Sequence, residues 1–199
     1  MEKNCKYVSS KFVRKLIFLS FLFLISSGCN KKQEEKPFPN ISGEKLSGFS
    51  FQQFSEKFNL ELKGESAEIS QDKKNNFVKK PSFSLSSKTE IIEVSTGHQG
   101  TAKVKLEQNL QKIEEIFIEG DIDIIQKNIK TNEVVMEAHC KKLTYIDKKK
   151  VLIMDGNPII KRKKGTFSGE KIFYYWDENK VEITGKVNVT IYPDETSTD

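Results

Sequence analysis

One sequence pattern occurs twice in the C-terminal third of the chain, and it constrains the fold more than any other feature. Each copy consists of a strand, a four-residue D-x-x-K turn, a second strand, a glycine and a third strand. The first copy occupies residues 142–160 with its turn at 147–150, and the second occupies residues 171–191 with its turn at 177–180. An aspartate that opens a short turn between apolar runs is typical of a hairpin connection. The pattern therefore predicts consecutive antiparallel hairpins.

The glycines of this pattern lie in the register of the apolar residues. From Val181 to Ile191 the odd positions are apolar apart from Gly185 and the even positions are polar, which is the period of a half-buried strand. Gly120 and Gly156 lie in the apolar register of their strands in the same way as Gly185. The three glycines are 36 and 29 residues apart. Such spacing suggests stacked supersecondary units. A glycine inside a strand marks a bulge or sharp bend, or it leaves room for a ligand on the concave side, and both interpretations stay open.

The first 28 residues have the features of an export signal. Five basic residues and one acidic residue accompany the almost wholly apolar run 16–25, which is about half the length that a membrane span requires. Residues 26–29 resemble the bacterial lipobox, in which the cysteine is lipidated and becomes the mature N-terminus, so Cys29 is the candidate lipidation site. The alternative is an uncleaved anchor formed by residues 12–28. Both interpretations place the rest of the chain outside the cytoplasm and tether it to a membrane.

The charge balance of the remaining chain argues against nucleic-acid binding. Residues 29–199 carry 28 basic and 27 acidic side chains, a formal net charge of +1, whereas nucleic-acid binding needs a clustered positive field. The densest basic cluster, residues 161–164, is predicted to lie at a solvated turn. Contact of this cluster with an anionic lipid headgroup is the alternative.

The sequence contains no recognisable catalytic or metal-binding motif. Cys5 leaves with the signal and Cys29 is the lipidation candidate, so Cys140 is left alone and no disulfide is expected. There is no G-x-S-x-G motif, and His98 and His139 are 41 residues apart. We therefore expect neither an enzyme, nor a cofactor, nor a metal.

The pattern of turns and short apolar runs divides the chain into four parts. Residues 1–28 form the signal peptide or anchor, residues 29–45 a flexible tether, residues 46–192 the folded domain and residues 193–199 a polar tail. The domain shows alternating strands throughout and no convincing amphipathic helix, so its predicted class is all-β. A ladder of hairpins can close as a sandwich or barrel, or remain an open roll with a groove between its walls.

Several segments of the domain resemble one known family in order and spacing. They are Gly48-Phe49, the segment 58–67, and the two repeats that run from Leu143 to Gly156 and from Gly169 to Gly185. Together they are similar to the LptC/LptA (OstA-like) family of periplasmic lipopolysaccharide-export proteins, most closely to its membrane-tethered LptC members. This sequence has Phe58 where the family usually has Trp, and a lipobox in place of the usual uncleaved helix.

The resemblance implies an OstA-like open β-jelly roll that receives lipopolysaccharide from an inner-membrane ABC transporter and passes it to a periplasmic bridge protein of the same fold. Exposing one twelve-carbon acyl chain to water costs about 10 kcal/mol at roughly 0.8 kcal/mol per methylene, so a carrier must cover such chains with apolar walls. Open edge strands would dock the partners. The last strand, 186–191, would bind the bridge protein, and the first strands, near Phe49 and Phe58, would bind the transporter. The candidate groove residues, each of which is alternatively ordinary packed core, are Ile116, Ile118, Ile122, Ile124, Met154, Val181, Ile183, Val187 and Val189.

Two other functions fit parts of the same sequence. A structural or adhesive surface lipoprotein would share the lipidation and the β structure but would bind no lipid in its interior. A soluble bridge protein of the same family would lack the anchor. The expected location is the periplasmic side of the inner membrane, with the outer membrane as the alternative destination of a lipoprotein.

Overall fold

The computed structural model describes residues 43–71, 73–108 and 112–193. In these residues the chain forms fourteen β strands and one short 3-10 turn, Asp147–Lys149, which confirms the predicted all-β class. The predicted signal peptide, including Cys29, lies outside the described residues, as do positions 30–42 and 194–199. Among the residues that are described, none belongs to a helix long and apolar enough to cross a bilayer.

The strands are short except for β1, β2, β7 and β8, which have 11 residues or more. Their bounds are β1 (Glu44–Phe54), β2 (Asn59–Ile69), β3 (Asn75–Lys79), β4 (Ser82–Ser86), β5 (Glu90–Thr96), β6 (Thr101–Leu106), β7 (Ile113–Asn128), β8 (Val134–Ile146), β9 (Val151–Asp155), β10 (Ile159–Arg162), β11 (Gly165–Ser168), β12 (Lys171–Tyr175), β13 (Lys180–Thr184) and β14 (Asn188–Ile191).

The strands combine into rungs that stack in the order of the sequence. The nine rungs are β1, β2, β3 with β4, β5 with β6, β7, β8, β9 with β10, β11 with β12, and β13 with β14. Within the described part of the chain, each rung pairs antiparallel only with the rungs before and after it. The fold is therefore a meander of hairpins, as the repeated pattern predicts.

Each rung bends near its middle, and the bends divide the sheet into two leaves. Leaf A contains β3, β6, β9, β12 and β13, leaf B contains β4, β5, β10, β11 and β14, and the four long strands run through both. In β7, for example, residues 113–119 pair with β6 and residues 122–128 pair with β5. The hairpin turns of both leaves lie at the rung ends opposite the bends. We call the gap between these two sets of turns the mouth.

Glycines occupy several bends because the backbone there adopts a conformation that other residues avoid. Gly120, in the middle of β7, has φ of +140°, and a Cβ at this position would lie 3.0 Å from the Cα of Gly100 in the preceding rung. Gly156 and Gly185, at the bends of later rungs, also have positive φ, of +78° and +84°. A Cβ on Gly156 would lie 2.7 Å from the Cβ of Lys141. The glycines thus lie at bends. The neighbouring rung fills the space beside Gly120 and Gly156, so that space is not left open for a ligand.

The D-x-x-K segments form the hairpin turns that the sequence predicts. In the first, Lys150 has φ of +50° and its amide donates to the main-chain oxygen of Asp147 at 3.2 Å. The Asp147 carboxylate accepts hydrogen bonds from the Tyr145 hydroxyl at 2.6 Å and the Lys150 ammonium at 2.8 Å. The turn is therefore closed by the side chains of Tyr145, from the preceding strand, and of Lys150 in addition to its own backbone. The second turn lies at residues 176–179, one residue before the predicted 177–180, because Lys180 pairs with Tyr175; Asn179, with φ of +51°, occupies the place that Lys150 has in the first.

Two strands near the N-terminus are longer than the sequence pattern indicates. β2 runs through Gly64 without a break, although a glycine inside a strand is typical of a bend. β1 begins at Glu44, inside the predicted tether of residues 29–45. The reason is pairing, since β1 and β2 face each other along almost their whole length and so satisfy their backbone groups as strands.

Candidate functional site

Inward-facing side chains form apolar rows that cross every rung of both leaves. Cross-strand pairing aligns one row in leaf B, which consists of Phe51, Leu62, Phe83, Val94, Ile124, Ala138, Ile160, Phe167 and Val189. It aligns another in leaf A, which consists of Leu46, Ala67, Val78, Ala102, Ile118, Leu143, Met154, Ile172 and Ile183. The leaves face each other, and the rings of Phe83 and Tyr145 meet across them with centroids 5.9 Å apart. The interior is therefore continuous from the first rung to the last.

The rows are buried in the middle of the roll and accessible at its C-terminal edge. Ile124 and Ile118 are 0 % exposed, whereas Val189 in the last rung is 50 % exposed and Ile183 is half-buried. Ile191, at the end of β14, is 75 % exposed. Since no described strand covers the last rung, the apolar interior reaches the surface at this edge.

The predicted groove residues divide into three groups by burial. Those at the middle rungs are fully buried, those on β13 are partly buried, and those in or beside β14 are exposed. The fully buried residues are Ile116, Ile118, Ile122, Ile124 and Met154. The partly buried ones are Val181 and Ile183, and the exposed ones are Val187 and Val189. The middle of the roll is thus packed side chain against side chain, and contact of these residues with a ligand stays a prediction.

Contacts across the mouth hold the two leaves together. The side-chain oxygen of Gln53 in leaf B accepts a hydrogen bond from the backbone amide of Ile113 in leaf A at 2.8 Å. Phe58, before β2, meets Trp176, after β12, edge to face with centroids 5.3 Å apart. The Lys150 ammonium lies 4.0 Å from the centroid of Phe58, a cation–π distance. These contacts close part of the lateral opening between the leaves.

A chain of polar side chains also joins the leaves near the mouth. The Tyr174 hydroxyl donates to the Gln126 side-chain oxygen at 2.7 Å, and the Gln126 amide donates to the Glu90 carboxylate at 2.7 Å. Burial raises the pKa of Tyr174, so its hydroxyl stays protonated and remains a donor. Gln126 is fully buried between Ile92 and Met136 of its row, and its hydrogen bonds to Tyr174 and Glu90 offset its desolvation. Sequence reasoning missed this chain of contacts because Glu90, Gln126 and Tyr174 are far apart in sequence.

A cleft of about 230 Å³ lies at the mouth between turns of the two leaves. Its apolar lining comes from Phe58, Leu85, Ile92 and Trp176, and its polar lining from Lys57, Ser87, Thr89, Glu90, Lys150 and Asp177. A cavity of about 150 Å³ lined by similar apolar side chains is large enough to bind benzene. The cleft has room for a short alkyl segment, with charged groups at its rim.

Among the residues that the structure describes, Cys140, His98 and His139 do not form a reactive centre. Cys140 is buried, and desolvation raises the pKa of its thiol to about 12, so it stays protonated and unreactive at neutral pH. His139, on the outward face beside it, is hydrogen-bonded to the Asp123 carboxylate, with Nδ1 and Oδ1 2.9 Å apart. His98 lies in the connection between β5 and β6. In the part of the chain that is described, no group of three acidic, histidine or cysteine side chains could hold a metal ion.

The outward faces of the rungs carry paired charges. Asp121 in β7 pairs with Lys141 in β8, and Asp155 in β9 pairs with Lys171 in β12 at 3.2 Å. The Lys141 ammonium lowers the pKa of the Asp121 carboxyl group by a hydrogen bond. Exposed pairs of this kind contribute little to stability, about 0 to 1 kcal/mol each. They nevertheless keep the outer surface polar, so the apolar rows are confined to the interior and the two edges.

Both ends of the described sheet are open edges. β1 pairs only with β2, β13 only with β12, and β14 only with β11 among the described strands. The N-terminal edge carries Phe54, which is 70 % exposed, and Leu46. Unpaired edges with apolar side chains are the places where another strand can add to a sheet.

Comparison with known proteins agrees with this architecture. The model of the family described as LptA/(LptD N-terminal domain) LPS transport protein matches residues 56–180. The crystal structure of LptH, the LptA homologous periplasmic component of the conserved lipopolysaccharide transport device from Pseudomonas aeruginosa, is similar with a TM-score of 0.52. That match has 16% sequence identity and covers 67% of this chain and 95% of LptH, so it shows a common fold. No curated protein sequence matches the chain.

Proposed function

We propose, from the premise that the chain belongs to the LptA and LptD N-terminal domain family of lipopolysaccharide transport proteins, that it carries lipopolysaccharide by its acyl chains between the two leaves. This family transports and does not catalyse, in agreement with the lack of a catalytic motif in the sequence. The observation that supports the proposal best is the pair of apolar rows that cross all rungs and emerge at an open C-terminal edge.

The exposed end of the rows is suited to receiving or releasing an acyl chain. Val189 and Ile191 present apolar surface to solvent at the edge, next to partly buried Phe167 and Ile183. Covering an acyl chain there gains about 25 cal/mol for each Å² of apolar surface removed from water. Deeper in the roll the leaves are packed, so an acyl chain must replace side-chain contacts there while the leaves separate. Such an exchange keeps apolar surface covered throughout, which keeps its free-energy cost low.

The open edges supply the contacts that a relay of similar domains requires. We propose that β14 adds to an edge strand of a periplasmic bridge protein of the same fold, and that β1 faces the inner-membrane ABC transporter that delivers the lipid. Pairing of backbone groups gives affinity at such an edge, and the exposed apolar residues Phe54 and Ile191 give specificity. We further propose a periplasmic location with a membrane tether, as the resemblance to LptC-like members implies, here attached through a lipidated Cys29 in place of their uncleaved helix.

The packed middle of the roll favours a second candidate function, that of a structural or adhesive lipoprotein. Ile116, Ile122 and Met154 are 0 % exposed, which is the burial expected of a rigid scaffold as well as of a closed carrier. The two functions differ in whether a glycolipid occupies the interior.

Lipid analysis of the purified protein tests the proposed function. We expect the full chain, isolated from membranes of its own cells, to retain a lipid A-type glycolipid that mass spectrometry identifies. Val189→Asp, on the inward row, should lower the recovered glycolipid several-fold because it places a carboxylate on the apolar path. Thr190→Asp, on the outward face of the same strand, is the matched control and should retain it. Recovery of no glycolipid with the unaltered chain would favour the scaffold.

A further inference from the structure

Arg162 departs from the solvated turn that the sequence predicts for residues 161–164. Lys161, Lys163 and Lys164 are exposed, whereas Arg162 is partly buried and points inward. Cross-strand pairing places Arg162 beside Met136 and Gly165, in the inward row of leaf B that also holds Leu85, Ile92 and Gln126. Among the described residues of this row it is the only charged one. Glu90, which is also on the inward face, lies one row nearer the rung ends, opposite Asn128.

The partners of the Arg162 guanidinium are all uncharged. Its Nη2 donates to the side-chain oxygen of Asn179 at 3.1 Å, across the mouth, and lies 3.9 Å from the sulfur of Met136. Its Cζ lies 5.4 Å from the centroid of the Tyr174 ring. Its Nε is buried and has no hydrogen-bond partner. No carboxylate forms an ion pair with Arg162 in the described part of the chain, and Glu90 is engaged by Gln126.

A partly buried cation without an anionic partner lowers the stability of the fold. Arg162 is such a cation, and it lies where a lipid bound between the leaves would place its headgroup. A buried polar donor left unpaired destabilises the folded chain, and a charged one does so more strongly. The guanidinium presents five donors in a planar fork that matches phosphate oxygens. Arg162 ends β10 at the mouth, one row from Ile160 and Phe167 of the apolar interior. An acyl chain lying in the interior would therefore bring the polar end of its lipid to this side chain.

We propose that Arg162, with Asn179 and the Tyr174 ring, forms an anion site that binds a phosphate group of the carried lipid. This inference rests on the proposed function, because it assigns the headgroup contact of the same ligand. The phosphate supplies the negative partner that the Arg162 guanidinium lacks. It also supplies an acceptor for the unpaired Nε. Lys163, in the adjoining turn, adds a positive field without a fixed contact.

Equilibrium binding of two lipids to the full chain tests the site. The probes are a bisphosphorylated lipid A-type glycolipid and the same glycolipid with both phosphates removed, compared at one ionic strength. We expect the unaltered chain to bind the phosphorylated form roughly tenfold more tightly, as for one charge-assisted contact. In Arg162→Gln this preference should fall to about one, while the affinity for the dephosphorylated form is unchanged.

Lys161→Gln is the matched control, since it removes one positive charge from the neighbouring position on the outward face. This variant should keep the preference. Equal binding of the two lipids by the unaltered chain, or loss of the preference in Lys161→Gln but not in Arg162→Gln, overturns the inference and leaves the proposed function standing. Failure to bind either lipid overturns both.

Inorganic phosphate distinguishes the source of the anion. If millimolar phosphate raises the midpoint of thermal unfolding of the unaltered chain but not of Arg162→Gln, the anion site is supported. Should this occur while the two lipids bind equally, free phosphate is the ligand and the headgroup contact is excluded. A phosphate effect that persists in Arg162→Gln counts against the site.

Discussion

Ile124→Asp is expected to remove most of the stability of the fold. Ile124 is 0 % exposed and lies in the inward row of leaf B between Val94 and Ala138. The substitution both deletes apolar contacts and buries a carboxylate without a partner, so it belongs to the class that costs more than about 4 kcal/mol. Whole domains of this size are stable by only about 5–15 kcal/mol. Urea unfolding followed by circular dichroism measures the loss.

Ile125→Asp is a matched control because it makes the same chemical change one residue further along the same strand. Ile125 is partly buried and faces outward, so its carboxylate can remain hydrated. We expect a loss of about 1 to 2 kcal/mol, because the carboxylate stays hydrated but stands opposite Glu93 and Glu137 of the neighbouring strands. Equal losses for the two variants would contradict the assignment of one inward and one outward face to β7.

Cys29→Ala is expected to move the protein out of the membrane fraction. Acylation contributes about 0.8 kcal/mol of membrane affinity per buried methylene, and one chain alone binds only marginally, so stable attachment needs the several chains of a lipoprotein cysteine. Without the thiol there is no site for these chains. Fatty-acid labelling and fractionation of cell extracts measure the effect, and both label and membrane attachment should be lost.

Cys5→Ala controls for the loss of a cysteine near the N-terminus. Cys5 lies among the basic residues that precede the apolar run, so its removal should leave labelling and fractionation as they are. Membrane attachment that survives Cys29→Ala without labelling would show that residues 12–28 serve as an uncleaved anchor.

The hairpins and the apolar face of each strand follow from local features of the sequence. Alternation from Val181 to Ile191 and the D-x-x-K turns predict where strands run and where they reverse, and both depend on residues a few positions apart. Gly120 could be placed in the apolar register by the same means. Its role in bending β7 only became evident from its φ and from the approach of Gly100 in the neighbouring rung.

Contacts between the leaves could not be predicted from the sequence. Phe58 and Trp176 belong to the first and eighth hairpin turns, so their contact depends on how the whole sheet folds. The prediction for Arg162 was wrong for a different reason. The density of basic residues at 161–164 indicated a solvated turn, although residues 160 and 162 alternate with 161 as in a strand. With Ile160 inward, the period of two already places Arg162 inward as well.

Photo-crosslinking from the interior tests the central claim most directly. A photoreactive amino acid at Ile183, which faces inward on β13, is compared with the same amino acid at Glu182, which faces outward on that strand. If acyl chains lie between the leaves, irradiation of living cells should join lipopolysaccharide to position 183 and not to position 182. Crosslinks at neither position, or equally at both, would contradict the account.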